Sequence, residues 1–129
     1  MTVTGLLVLG LGARSATPAA DVEAGVSAAL VQAGVLPAAI TVLATLDRRA
    51  AEPGPRVLAE RHGWRIVGYT AEELAAVDVP HPSETVARRS GTASVAEAAA
   101  LLAAGPGASL VLPKRVVGGI TVAMALSRN

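Results

Sequence analysis

An apolar run that ends in a glycine-rich, cationic turn constrains the fold of this chain more than any other feature. The segment Leu6–Arg14 reads LLVLGLGAR, and Thr17 and Pro18 follow it. A β-strand that leads through a flexible loop into a helix has this pattern, with Thr17 as N-cap and Pro18 in the first turn. N–H groups near a helix N-terminus attract anions, so the loop is predicted to bind a carboxylate or a phosphate.

The residues predicted to bind in this loop are Gly10, Gly12 and Arg14. A tight strand-to-helix turn with a solvated Arg14 explains the same residues, and that alternative stays open because a Gly-x-Gly pair alone is a weak motif. A dinucleotide-binding loop would have a further glycine or alanine at the position of Ser15. The P-loop pattern is absent as well, so no nucleotide cofactor is predicted.

Composition narrows the classes of function. The 129 residues predict one domain, 1–129, with a self-sufficient core. The chain has no cysteine and two histidines, which argues against a metal centre, and we expect no cofactor. A net charge of +1, one tryptophan and one tyrosine argue against nucleic acid as a partner. No run is apolar and long enough to span a membrane, and a cytoplasmic protein is expected.

Alternating strand and helix patterns predict an α/β fold: a three-layer α/β/α sandwich around a mostly parallel or mixed sheet. The predicted strands are the segments 6–9, 40–45, 65–69, 109–112 and 119–126. The predicted helices are 17–34, 55–62, a short one from Thr70, and one from Ser94 to Ala104, the last two opening with capping boxes. The last two strands are expected to be antiparallel neighbours.

Three polar clusters follow predicted strands, and in open α/β sheets ligands bind beyond the carboxyl ends of the strands. Besides the first loop, these clusters are Asp47–Glu52 and Lys114-Arg115. Convergence of the three would form a cationic cleft in which arginines hold an acidic ligand and a carboxylate handles a proton. The predicted binding residues are Arg48, Arg49 and Lys114, and the predicted catalytic carboxylates are Asp47 and Glu52. Surface ion pairs and solvated cations are the alternative interpretation.

Two further residues have a chemical and a structural interpretation. His81 lies between two prolines, where a stiff backbone presents a ring that titrates near neutral pH, and it is a catalytic candidate as well as an ordinary loop histidine. Ser94 is a candidate for binding the substrate, although N-capping of the following helix also explains a serine at this position and is the favoured interpretation.

Taken together and in order, these segments resemble the CobE/CbiG C-terminal family of cobalamin biosynthesis. The resemblance covers nearly the whole chain, and the segments that carry it are Gly10–Arg14, Asp47–Gly54, Thr70–Leu74, Pro82–Glu84, Gly91–Leu101, Lys114 and Thr121–Ala125. One departure is Arg49, where the family usually has lysine, and arginine does not supply a neutral amine.

The resemblance implies work on a precorrin or corrinoid intermediate. In the longer family members the reaction opens a ring lactone of cobalt-precorrin-5A and releases acetaldehyde, whereas this chain is similar to the stand-alone CobE form. Precorrins carry many carboxylates, which fit a cationic cleft. The leading hypothesis is therefore a protein that binds such an intermediate. The alternatives are a hydrolase that acts on the lactone and a scaffold for other enzymes of the pathway.

Overall fold

A mixed β-sheet forms the centre of the computed structural model, which describes residues 5–77 and 95–128. Within these residues the sheet has five strands in the order β3-β2-β1-β5-β4. The strands are β1 (Leu7–Gly12), β2 (Val42–Leu46), β3 (Arg65–Tyr69), β4 (Ser109–Val117) and β5 (Ile120–Leu126). The first three are parallel to one another, while β5 is antiparallel to both of its neighbours, β1 and β4.

Helices cover both faces of this sheet. They are α1 (Ala19–Ala33), α2 (Asp47–Ala50), α3 (Pro53–His62), α4 (Ala71–Ala75) and α5 (Val95–Ala104), and a 3-10 turn spans Pro37–Ala39. Helices α1 and α3 pack on one face, and α4 and α5 lie on the other. The predicted α/β fold with a mixed sheet is therefore confirmed.

Strand direction places several chain segments at one edge of the sheet. The parallel strands β1, β2 and β3 all end there, and the β4–β5 turn at Gly118-Gly119 lies there because Thr121 pairs with Gly12. Helix α5 runs away from this edge, since the chain that leaves it reaches β4 beside Leu126, the partner of Leu7 at the opposite end. We call this side of the sheet the carboxyl edge.

The backbone pairing of β1 with β2 ends before either strand does. Their paired register ends at Gly10 and Ala44, although both strands continue beyond these residues. The carbonyl oxygen of Leu11 instead accepts a hydrogen bond of 2.7 Å from the buried hydroxyl of Thr45. A side-chain hydrogen bond thus links the two strands beyond their last backbone pair.

Local sequence signals explain where most helices begin and end. Gly34 and Gly63 adopt the left-handed conformation that closes α1 and α3, with φ of 71° and 73°. Thr70 forms the predicted capping box with Glu73. The prediction for Thr17 is wrong: α1 has Pro18 at its N-cap position, and the Thr17 hydroxyl donates to the carbonyl oxygen of Arg14 at 2.7 Å.

Candidate functional site

The loop between β1 and α1 has an unusual backbone at the carboxyl edge. Ala16 has φ of +63°, the one described residue other than glycine with a positive φ. This conformation costs a residue with a Cβ roughly 1–2 kcal/mol. The loop also closes on itself, because the N–H and the hydroxyl of Thr17 both donate to Arg14 O. Surrounding contacts must therefore hold this turn in place.

Arg49 and Glu52 supply those contacts, and we call this pair the clasp. Glu52 accepts hydrogen bonds from the Ala16 N–H at 3.0 Å and from the Ser15 hydroxyl at 3.4 Å. Arg49 Nε donates to Ala13 O at 2.9 Å, and its Nη1 lies 3.1 Å from Glu52 Oε2. Only 16% of the Arg49 side chain and 21% of the Glu52 side chain are exposed. The two side chains thus join the β1–α1 loop to the segment after β2.

Two glycines let the backbone segments around the clasp approach closely. A Cβ on Gly54, in the first turn of α3, would lie 2.7 Å from Thr17 O. A Cβ on Gly68 of β3 would lie 2.8 Å from the Cα of Asp47. Helices α2 and α3 are therefore fixed against both the first loop and the sheet. In this arrangement Glu52 accepts from three donors, the Ala16 N–H, the Ser15 hydroxyl and Arg49 Nη1.

The remaining charged side chains of the two loops are exposed. Arg14 and Arg48 are both exposed to solvent, and they follow adjacent parallel strands. Asp47 is also exposed, and its Oδ1 accepts the N–H of Arg48 at 2.7 Å. The structure therefore brings the first two predicted clusters to the same edge, with two cations and one carboxylate accessible to a ligand.

The two glycines of the first motif are buried in β1 rather than placed on an open loop. Gly10 pairs with Ala44 and Ala123, and a Cβ on it would overlap with the carbonyl oxygen of Ala96 in α5. Gly12 is buried and pairs with Thr121. Close packing of a helix on the strand accounts for Gly10, so its predicted place in an accessible anion-binding loop is corrected.

Lys114 also lies elsewhere than predicted. The strand that we expected to end before Pro113 continues to Val117, so Lys114 is a half-buried residue within β4 and not part of a loop after a strand. Strand β5 separates it from β1. The Lys114 N–H donates to Oε2 of Glu97, a fully buried residue of α5, at 2.9 Å. The predicted convergence of three loops is thus reduced to two.

His81 and Ser94 lie outside the described residues. Within residues 5–77 and 95–128, no group of three or more histidine, aspartate or glutamate side chains is placed to hold a metal ion. The same ranges contain no helix of the length and apolarity needed to cross a bilayer.

Sequence reasoning missed two groups at this edge, the Ser15 hydroxyl and the Ala16 N–H. Both bind Glu52, which lies more than thirty residues further along the chain. Nothing in the local sequence marks Ala16 for a positive φ, because glycine and asparagine are the usual residues there. Only the fold brings these groups together.

Comparison with known proteins identifies the class. The family model described as "Cobalamin synthesis G C-terminus" matches residues 7–125. Because the match spans almost the whole chain, the protein belongs to this family of cobalamin biosynthesis.

Individual relatives make the assignment narrower. Protein CobE of Sinorhizobium sp is 40% identical over 121 residues, which is 92% of this chain and 79% of that protein. A crystal structure of CobE, from the cobalamin biosynthetic pathway, has a TM-score of 0.83 at 30% identity and covers 98% of this chain and 93% of that one. The cobalamin biosynthesis protein chiG of Agrobacterium tumefaciens has a TM-score of 0.73 at 36% identity, with 96% and 100% covered. The chain is thus a CobE-like cobalamin biosynthesis protein.

A longer relative shares the domain as one part of its chain. Cobalt-precorrin-5A hydrolase of Priestia megaterium is 31% identical over 121 residues. The match covers 94% of this chain but only 32% of that hydrolase. This chain thus spans about a third of the length of the hydrolase.

Proposed function

We propose that this protein binds a carboxylate-bearing corrinoid or precorrin intermediate of cobalamin biosynthesis at the carboxyl edge. The observation that supports this most is the exposure of Arg14 and Arg48 on loops that follow adjacent parallel strands. The clasp fixes the first of these loops, and the packing of α2 on Gly68 fixes the second. Two cations on rigid supports are suited to a macrocycle with several carboxylates on its rim.

The chemistry of these side chains fits such a ligand. A guanidinium presents several N–H donors in one plane and pairs with a carboxylate through two hydrogen bonds. Both arginines are accessible to solvent, so their attraction for a carboxylate is partly screened. Binding is therefore expected to be selective for the charged form of the ligand and to weaken as salt is added.

A titration of the whole chain tests this proposal. The probe is dicyanocobyrinic acid, a corrin with free carboxylates, followed by its absorbance, and the comparison ligand is its fully methyl-esterified form. Wild type is expected to bind the acid and to bind the ester at least about tenfold more weakly. Arg14→Glu and Arg48→Glu should each weaken binding of the acid. Arg65→Glu should not, because Arg65 begins β3 and lies at the end of the strands away from the carboxyl edge. Equal binding of acid and ester would contradict the proposal.

A second candidate function is hydrolysis of a precorrin lactone, which is favoured by the 31% identity with the Priestia megaterium hydrolase. Among the described carboxylates at this edge, Asp47 is exposed and available to activate water, while Glu52 is engaged in the clasp. His81 remains a further candidate for this role. Incubation of the chain with cobalt-precorrin-5A and an assay for acetaldehyde tests it. Acetaldehyde that forms in proportion to protein, and fails to form with a folded Asp47→Asn variant, would establish turnover.

A further inference from the structure

The clasp holds the backbone on both sides of Arg14. The carbonyl of the preceding residue, Ala13, accepts from Arg49 Nε, and two residues after Arg14 the Ala16 N–H donates to Glu52. Between these points Arg14 O accepts from Thr17. The backbone of Arg14 is thus fixed at three positions while its side chain extends into solvent.

The conformation that the clasp maintains is one that the loop would not adopt by itself. Ala16 has a positive φ, so the unconstrained loop would relax to a conformation without this cost. The Glu52 carboxylate offsets the strain because it accepts two hydrogen bonds from the turn, and it does so while paired with a largely buried Arg49. Removal of the carboxylate removes the partner that selects this turn.

We propose that Glu52 is a positioning residue, which fixes the β1–α1 loop so that Arg14 is already in place when a carboxylate ligand arrives. Arg49 is its partner in the clasp and does not itself contact the ligand. This inference rests on the proposed function, because it assigns how the same edge achieves its affinity. The physical gain is entropic: a loop that is ordered before binding does not have to be ordered by the ligand.

A double-mutant cycle tests this role. Glu52→Ala is expected to weaken binding of dicyanocobyrinic acid about three- to tenfold, the cost of ordering one long side chain and its loop. If Glu52 acts through Arg14, the same change in an Arg14→Ala background should have little further effect on Kd. If Glu52 only stabilised the fold, Glu52→Ala would raise Kd by the same factor in the wild-type protein and in the Arg14→Ala variant. Glu60→Ala, the same change at an exposed position of α3, is the matched control.

A rescue variant isolates the strained turn. Glycine at position 16 adopts a positive φ without a steric cost, so Ala16→Gly should restore part of the binding that Glu52→Ala loses. Amide hydrogen exchange of residues 13–17 should rise in Glu52→Ala and stay at the wild-type level in Glu60→Ala. Should Glu52→Ala fail to fold, Glu52→Gln keeps an acceptor for the Ala16 N–H, loses the charge opposite Arg49, and should show a smaller effect in the same direction.

The outcomes separate this inference from the proposed function. If the wild type binds the ligand and folded Glu52→Ala binds it with the same Kd, the positioning role of Glu52 is refuted while the proposed binding function stands. Equal losses in the wild-type and Arg14→Ala backgrounds would overturn it as well. Absence of any binding by the wild type would refute the proposed function, and the positioning role with it.

Discussion

The two faces of the sheet are packed in different ways. The face under α1 and α3 is filled by large side chains, including Leu9, Leu43 and Met124. On the face under α5, the buried residues that the helix contributes are mainly alanines: Ala96, Ala98, Ala99, Ala100 and Ala104. Large side chains thus fill the first face, whereas on the second the small side chains let the backbone of α5 approach β1 closely at Gly10.

This difference has a consequence for tolerance to substitution. A side chain that is crowded can change its rotamer, whereas a helix backbone can only move as a unit. The alanine-packed face should therefore be the less forgiving one. This face is also next to the carboxyl edge, because α5 begins near that edge and contacts β1 at Gly10. A displacement of α5 would be transmitted to the end of β1, where the candidate site begins.

The largest expected effect is that of Gly10→Ala. The new methyl group would overlap with the Ala96 carbonyl, so α5 would have to move, and we expect a loss of about 3 kcal/mol in the free energy of unfolding. Denaturant unfolding followed by circular dichroism measures it. The matched change on the other face is Gly25→Ala, where the methyl would lie 2.6 Å from Cδ1 and 2.7 Å from Cγ1 of Ile120, and 3.2 Å from the carbonyl oxygen of Val117.

Gly25→Ala should lower the free energy of unfolding by less than Gly10→Ala does. Here the buried side chain of Ile120, and not a helix backbone, has to move most. Alanine in place of glycine within α1 gains up to about 1 kcal/mol in helix propensity, which offsets part of that cost. Similar losses from the two glycine substitutions would break the contrast between the faces.

An intermediate effect is expected for Ala100→Leu. Ala100 is fully buried, and its methyl group lies next to Gly10 on the alanine-packed face. Additional methylenes in a well-packed core cost about 2 kcal/mol, since the surrounding groups have to be displaced. Thermal unfolding of the purified variant measures this loss, and an unchanged midpoint would show that the face has more free space than the structure indicates.

A small effect is expected for Met124→Leu on the face under α1. The two side chains have similar volumes, and the neighbours of Met124 include leucines and valines that can adjust. The free energy of unfolding should fall by less than about 1.5 kcal/mol. A loss larger than that of Ala100→Leu would reverse the order of the two faces.

The smallest effect concerns alkaline pH and Tyr69, a half-buried residue packed against the face under α5. Burial raises the pKa of the Tyr69 hydroxyl, the Glu73 carboxylate raises it further, and Arg65 acts in the opposite direction. A pKa that is higher in the folded chain means a contribution that is complete below the unfolded value of about 10 and is lost as the pH rises through the folded value. Tyr69→Phe should therefore lose less stability than wild type above pH ~10, as measured by urea unfolding across pH.

Signals that are local in sequence predicted the fold well. Gly34 and Gly63 end their helices, and Thr70 forms its capping box, because each depends on residues within a turn of the chain. The alternation of apolar runs likewise identified the strands and the α/β class. Element ends shifted by a few residues where tertiary pairing extended a strand.

The position of a strand within the sheet could not be predicted from the sequence. For this reason Lys114 was predicted to follow a strand, whereas it lies within β4. The sequence predicted a strand that ends at Leu112 and a connection from Pro113 to Gly118, whereas β4 continues through Pro113 to Val117. Proline lacks an N–H group and would interrupt a central strand. Because β4 is an edge strand, the missing donor is tolerated, and position 113 lies within a shift of the register between Leu112 and Arg115. Edge position depends on the whole topology, which no short pattern reveals.

The candidate site was predicted in part. Neighbouring parallel strands placed Arg14 and Asp47–Glu52 at one edge, as expected from strand direction alone. The role of Glu52 depends on hydrogen bonds to a loop far away in the sequence, and that of Gly10 depends on how closely α5 approaches. The residue types are the same for a ligand contact and for a structural contact, so the sequence does not distinguish them.

The pairing of β1 with β5 has a consequence for synthesis on the ribosome. β1 lies at the centre of the sheet between β2 and β5, and its pairing with β5 joins residues as distant in sequence as Leu7 and Leu126. As the chain emerges, β1 can pair with β2 early, but its other side stays open until almost the whole described sequence has left the exit tunnel. A hydrophobic central strand with an unpaired side recruits other chains. We therefore expect nascent chains that stop before β5 to depend on chaperones. Chains that include β5 should not need them.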